Sequence, residues 1–258
     1  MLVFALNHYS SYLLILLRVV AFIAVSPILS VRAWPQVAKL GLAAFVALLV
    51  TPQVSQALPS PFSDPGDYML LALQETTVGI LLGLVASMMF SVIDIAGQLF
   101  DLQIGFAMAN LLDPASGQTQ SLTSSFLSVL FTLYFLGMNG LDGLVMAVLN
   151  SFKLIPVGQF HMPSNFEQVL LHILFLVMTM ALQLAAPLVT ALLLTNITFA
   201  LLSRAVPQMN VFVVGLPVQL FVGLTLLAIL MPAITYFFGT LFTNLFMQMN
   251  SLMQLVGV

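Results

Sequence analysis

Long apolar runs alternate with short breaks along this chain, and the runs predict six helical segments. The first covers about Tyr9 to Leu29, carries Arg18 and has Pro27 near its end; Arg32, Pro35 and Lys39 occupy the connection after it. The second covers Leu40 to Leu58. The stretch Pro59-Ser60-Pro61-Phe62-Ser63-Asp64-Pro65-Gly66-Asp67 then supplies prolines and a glycine that do not continue a helix, which makes it the clearest boundary in the sequence. A third run, Tyr68 to about Gly105, is longer than one bilayer crossing needs at about 1.5 Å per residue, so part of it is expected to tilt or project.

The fourth run, Leu122 to about Leu149, is interrupted at Gly137-Met138-Asn139-Gly140-Leu141-Asp142-Gly143, which predicts a broken helix or a tight helical hairpin. Beyond a polar stretch from Ser151 to Asn165, the fifth run extends from Phe166 to Leu202 and contains Pro187, expected to kink it. A sixth begins at Val211, with breaks expected at Pro217, Pro232 and Gly239. No repeat of fixed period is visible.

Composition sharpens this into a membrane protein. Hydrophobic residues make up 61% and charged residues 5%, mean hydropathy is +1.16, and no charged side chain follows Arg204. The expected architecture is all-α: one membrane domain spanning 1–258, built of hydrophobic, broken helices and helical hairpins. The formal charge of -3, from 5 bases and 8 acids, is too sparse for a nucleic-acid surface. The absence of cysteine excludes disulfides and thiol chemistry. The first residues lack the basic start and small-residue cleavage site of a removable signal peptide, so the first apolar segment is expected to be retained. If six segments cross in alternation, Arg32, Lys39 and Arg204 fall on one side and Lys153 on the other, favouring an outside N-terminus.

Few polar side chains interrupt the apolar runs, and each is a candidate. Asp94, Gln98 and Asp101 recur at i, i+4 and i+7, forming a polar stripe on an apolar helix that must face water, a partner or a pore. After Gly105 the chain becomes uncharged and turn-rich, with Phe106, Met108 and Asn110 before Asp113, Pro114 and Gly117. Such a loop between membrane-depth helices needs protein or a cavity around it; it either occludes a channel or is an ordinary connection packed on its neighbours. Glu75, Gly79 and Gly83 share one helix face, where the glycines let another helix approach, within the chain or from another subunit. A proton-relay role for Glu75 competes with a structural one in which the carboxylate sits near the membrane boundary and stays wet; the structural role is preferred. Arg204 either caps its own helix or pairs with a carboxylate of another segment or subunit, Asp94 and Asp101 being the candidates.

Enzyme signatures are missing: there is no His-Glu-x-x-His, no Gly-x-Ser-x-Gly and no Walker-type phosphate loop, and His8, His161 and His172 lack metal-ligand spacing. No catalysis, metal or cofactor is expected.

Two stretches carry a resemblance: Ala96-Gly97-Gln98 through Asp113-Pro114-Ala115-Ser116-Gly117-Gln118, and Leu202-Ser203-Arg204-Ala205-Val206-Pro207-Gln208-Met209-Asn210 through Pro217. With Arg18 to Pro27, Phe135-Leu136-Gly137-Met138-Asn139-Gly140, Ser151-Phe152 and Ala185-Ala186-Pro187, they resemble the FliR family of flagellar and virulence type III export-gate subunits, in order along nearly the whole chain. Leu141-Asp142 departs from the histidines expected there in many relatives. The resemblance implies a helical hetero-oligomeric gate in the bacterial inner membrane, at the flagellar basal body. One copy of this chain would join FliP- and FliQ-type subunits, with FlhB around the entrance and FlhA below, and pass unfolded flagellar substrates. It further implies that Gly105 to Gln118 is a plug-like loop in the closed pore, and that the Asp94, Gln98 and Asp101 stripe belongs to a subunit contact or the pore wall. A small-solute secondary transporter with broken helices is the alternative from another class.

Overall fold

The computed structural model describes residues 2–30, 34–53, 64–106, 121–205 and 211–257. The fold is all-α. Among the described residues the helices are α1 (Leu2–Val25), α2 (Gln36–Val50), α3 (Pro65–Ile104), α4 (Leu122–Gly137), α5 (Gly140–Leu154), α6 (Phe166–Ala205) and α7 (Val211–Val256), with a short 3-10 turn at Thr51–Gln53.

Local chemistry explains where several of these start and stop. α3 opens at Pro65, inside the expected linker, because a proline at the first helical position gives up an N–H that has no intrahelical acceptor anyway. The carbonyl of Asp64 accepts the Tyr68 amide at 3.1 Å and begins the ladder. α2 likewise starts directly after Pro35, ahead of the expected Leu40. The break in the fourth run falls at Met138 and Asn139, where Asn139 takes a left-handed φ of 56°. α5 then continues to Leu154, so Ser151 to Leu154 are helical and not part of the polar connection. Ser151 is accommodated there because its hydroxyl donates back to the Val148 carbonyl at 2.7 Å.

The expected breaks at Pro217, Pro232 and Gly239 are corrected: all three lie inside the continuous helix α7. Each proline deletes one backbone bond, but in apolar surroundings the other amides have no alternative partner, which keeps the remaining ladder intact. Pro187 is also internal to its helix, α6. Six alternating spans are corrected as well. Among the described residues three helices are long and apolar enough to cross a membrane, Pro65–Ile104, Phe166–Ala205 and Pro217–Val256, and the α4–α5 pair adds a fourth if counted as one broken span. α2, with 15 residues, reaches only about 22 Å against a hydrocarbon core of about 30 Å. Orientation by simple alternation therefore loses its basis.

The chain divides into two compact units, one made of Met1–Met89, Met138–Ile173 and Thr243–Val258, the other of Phe90–Gly137 and Leu174–Phe242. In the first, α1 lies directly on α3. A Cβ placed on Gly79 would stand 2.3 Å from the Arg18 carbonyl oxygen and 2.8 Å from the Ala21 Cβ, and one on Gly83 would stand 2.8 Å from the Val25 Cβ. The small-residue face of α3 is thus occupied by a helix of the same chain. Leu14, Ile15, Phe22, Leu82, Val85 and Ala86 fill the core around this seam.

The second unit is held by an aromatic cluster. Phe90 meets Phe131 and Phe135 edge-on at 4.8 and 5.4 Å between centroids, Phe131 meets Phe238 at 5.2 Å, and Phe135 meets Phe242 at 5.4 Å. Such pairs favour tilted geometry because ring faces are negative and edges positive.

Gly79→Leu is expected to destabilise the chain by more than the roughly 1–3 kcal/mol of ordinary overpacking, since the obstacle is backbone. Thermal melting in detergent should show a clear drop for Gly79→Leu and none of comparable size for Gly41→Ala, where nothing lies within 4 Å. Equal melting of wild type and Gly79→Leu would refute the close seam.

Candidate functional site

Two polar constellations interrupt the apolar interior, one in each unit. The first is centred on Arg18, in the middle of α1 and fully buried. Its Nε donates to Oε2 of Glu75 on α3 at 2.7 Å, with both side chains at 0% exposure. Its Nη1 donates to the Ser151 hydroxyl at 3.2 Å and to the Ile155 carbonyl at 3.0 Å, and its guanidinium carbon stands 4.2 Å from the centroid of the Phe152 ring. Oε1 of Glu75 accepts the Gly158 amide at 3.1 Å.

Gly158 can deliver that amide because the chain turns there with φ +78°, and because a Cβ would lie only 2.7 Å from Leu71. One ion pair therefore ties together α1, α3, the last turn of α5 and the turn that follows it. Both carboxylate oxygens of Glu75 are engaged, and neither is exposed. The carboxylate is not kept wet at a boundary, as the sequence suggested, but dry and neutralised. Its chemistry is structural: neither charge is presented to an ion or a passing chain.

The second constellation lies where α3 meets α4. Asp101 is buried at 6% exposure; its Oδ1 accepts the backbone amide of Thr123 at 3.2 Å and also the Thr123 hydroxyl. Thr123 is the second residue of α4, so Asp101 supplies from another helix the acceptor that an N-cap would normally provide. Two turns earlier on α3, Asp94 accepts the Ser128 hydroxyl at 2.6 Å through Oδ1, and its carbonyl accepts the Ser124 hydroxyl at 2.6 Å. Gly97 lies between them, where a Cβ would stand 2.4 Å from the Ser124 Cα.

The predicted stripe is thus split. Asp94 and Asp101 hydrogen-bond to α4 of the same chain, Asp101 buried and Asp94 exposed, and Gln98 is exposed as well. Arg204 is also exposed, and the pairing suggested for it with Asp94 or Asp101 within the chain is not made; among the described residues the ion pair is Arg18–Glu75. Sequence reasoning missed Arg18 as a partner. The available signal was that a base in mid-helix at membrane depth must have a counter-ion, and Glu75 is the carboxylate at comparable depth in the next long helix.

Of the loop residues singled out in the sequence, Gly105 closes α3 at φ 93°, its amide bonded to the Asp101 carbonyl at 3.1 Å. Phe106 is half-buried. Met108, Asn110, Asp113, Pro114 and Gly117 lie outside the described residues. Asp101 and Thr123, bonded to each other, stand on either side of residues 107–120 in the sequence. Among the described residues no group of three or more His, Asp or Glu side chains is placed to hold a metal ion.

Residues 9–245 match the family described as bacterial export proteins, family 1. The chain is similar to the flagellar biosynthetic protein FliR of Bacillus subtilis (strain 168), with 32% identity over 98% of each chain. It is also similar to that of Escherichia coli (strain K12), with 36% identity over 90% of this chain and 88% of the other. Similarity extends to the Yop proteins translocation protein T of Yersinia pestis, with 34% identity over 85% of each chain.

Removing one partner of the Arg18–Glu75 pair is expected to cost about 3–5 kcal/mol, because the other charge is left buried and alone. Arg18→Met and Glu75→Gln should each lower the melting temperature sharply, while Arg18→Met combined with Glu75→Met should recover most of the loss. A double variant as unstable as the two single losses added together would show that the pair is not coupled.

Proposed function

This chain belongs to family 1 of the bacterial export proteins, and from that membership we propose that it is a structural and gating subunit of a type III protein-export gate. It is an export component of the flagellar or virulence type III kind, embedded in a membrane through its apolar helices. In the proposed gate one copy of the chain joins FliP- and FliQ-type subunits in the bacterial inner membrane, with FlhB- and FlhA-type neighbours, and unfolded substrates pass through the shared channel. The segment Gly105 to Gln118 closes the pore in the resting state.

The observation that carries the gating part is the Asp101–Thr123 tie. A carboxylate buried on the last turns of α3 holds the first turn of α4, so the segment between them is anchored at both ends to a rigid base. Burial supports the assembly part. Only 33% of the apolar window in α6 and 17% of that in α7 is buried within the chain, and large side chains such as Phe175, Phe221 and Tyr236 are 71%, 73% and 82% exposed. Faces of that size call for lipid or other apolar subunits. In this reading the exposed Arg204 and Gln98 are polar contacts to neighbouring subunits.

Co-expression with FliP- and FliQ-type subunits should give one detergent-stable hetero-oligomer that contains a single copy of this chain, weighed by native mass spectrometry. A monomer or homodimer that ignores those partners would overturn the assembly reading. Shortening Gly105 to Gln118 should leave that complex intact and make membranes containing it conduct ions. Unchanged conductance with normal subunit levels would refute the plug.

A further inference from the structure

α4 carries two apolar faces, although packing within the chain uses only one of them. Leu127, Phe131 and Phe135 are fully buried. On the opposite side Leu122, Phe126, Val129, Leu133 and Leu136 are all between 41% and 66% exposed. Their separations alternate between four and three residues, so the row runs straight along the helix. A period of about 3.5 residues is the one at which side chains interlock with those of a second helix lying alongside. Beyond this row, Ser125 and Gly137 are the other exposed positions of α4. The outer side is therefore a narrow apolar seam and not a broad coat.

This seam has a charged flank. Asp94 on α3 is exposed, and its Oδ1 accepts the hydroxyl of Ser128, the residue just before Val129. Gln98, one turn further along α3, is exposed as well. A hydroxyl orients the carboxylate and leaves its negative charge in place. Among the described residues no base pairs with Asp94, and neither α3 nor α4 contains a lysine or arginine. Neither solvent suits this combination: hydrocarbon penalises the carboxylate, and water penalises the apolar row. A second copy of this chain, docked seam to seam, would bring no base to the flank. A helix of another protein, apolar along its contact face and carrying one base at the edge, satisfies both requirements.

We propose that the outer seam of α4 docks an apolar helix of a different subunit, packed along it as in a coiled coil, with a lysine or arginine of that helix paired to Asp94. The inference rests on the reading of this chain as one member of a hetero-oligomer, and it specifies the surface and the chemistry of one contact.

Photo-crosslinking in the complex co-expressed with FliP- and FliQ-type subunits tests it. With p-benzoylphenylalanine at position 129 or 133, the chain should crosslink to one helix of a different subunit, and mass spectrometry should find a lysine or arginine within two turns of the crosslinked residue. Leu133→Glu should lower the yield of complex at least about tenfold while leaving the melting of the isolated chain unchanged. Asp94→Lys should lower the yield to a similar extent and Asp94→Glu should retain it. Replacing the partner's base by glutamate should restore assembly with Asp94→Lys. If Asp94→Lys fails to fold, the crosslinks and Leu133→Glu decide, because Leu133 is exposed. A normal complex in which positions 129 and 133 crosslink to no other subunit, a crosslinked helix without a nearby base, or an unchanged yield with Leu133→Glu would each overturn the docking surface and leave the assembly reading standing. Failure of the wild-type chain to form any hetero-oligomer would overturn both.

Discussion

A buried guanidinium that must find its counter-charge sets the geometry of the first unit. Arg18 sits at 0% exposure among leucines, isoleucines and phenylalanines, where an unpaired ion would cost several kcal/mol of lost hydration. The cost is offset only if Glu75 comes within hydrogen-bonding distance, and this requires α1 and α3 to approach more closely than ordinary side chains allow. Gly79 and Gly83 make that approach possible, one and two turns beyond Glu75 on the same face. Ser151, Ile155 and Gly158 then add hydrogen bonds to the pair. Sequence elements as distant as Arg18 and Gly158 are thereby fixed by one electrostatic requirement. Such a pair adds little net stability compared with a well-packed apolar replacement, but it penalises any register in which the two charges miss each other.

The second unit solves a different problem with weaker tools. α4 begins at Leu122, and its opening amides need acceptors in surroundings that offer little water. Asp101 supplies one, while Ser124 and Ser128 engage the Asp94 carbonyl and carboxylate on the neighbouring helix. The hydroxyls face inward because Gly97 lets the helices touch at Ser124. Both units thus use a glycine on α3 to bring polar groups within reach, in one case for an ion pair and in the other for a cap.

Much of this was legible in the sequence because lipid-compatible helices announce themselves by length and composition. The long runs from Tyr68, Phe166 and Val211 all became helices of the expected extent, and Asn139 broke the fourth run where glycines and polar residues cluster. Proline was the misleading signal. Pro65 opens a helix instead of delaying it, because its missing N–H had no intrahelical acceptor to lose, whereas Pro217 and Pro232 lie within a helix that continues despite the one bond each deletes. Pairing was the other blind spot. Periodicity places Asp94, Gln98 and Asp101 on one face but does not say what covers that face, and nothing local links Arg18 with Glu75 across 57 positions. The family resemblance pointed to an export component without supplying these contacts.

The internal use of charge bears on how the protein can work. Beyond the first turn of α3, which holds Asp67, its carboxylates are Glu75, Asp94 and Asp101, and each is engaged by a group of the same chain. A carrier that binds and releases an ion in mid-membrane needs at least one such group whose partners can be exchanged for the ion, typically beside unwound backbone. Here α3 is continuous through all three positions, and Glu75 is sealed from solvent on both oxygens. The buried carboxylates Glu75 and Asp101 are committed to holding helices together. A carrier working through Glu75 or Asp101 would have to break these ties at every cycle, which weighs against the small-solute reading.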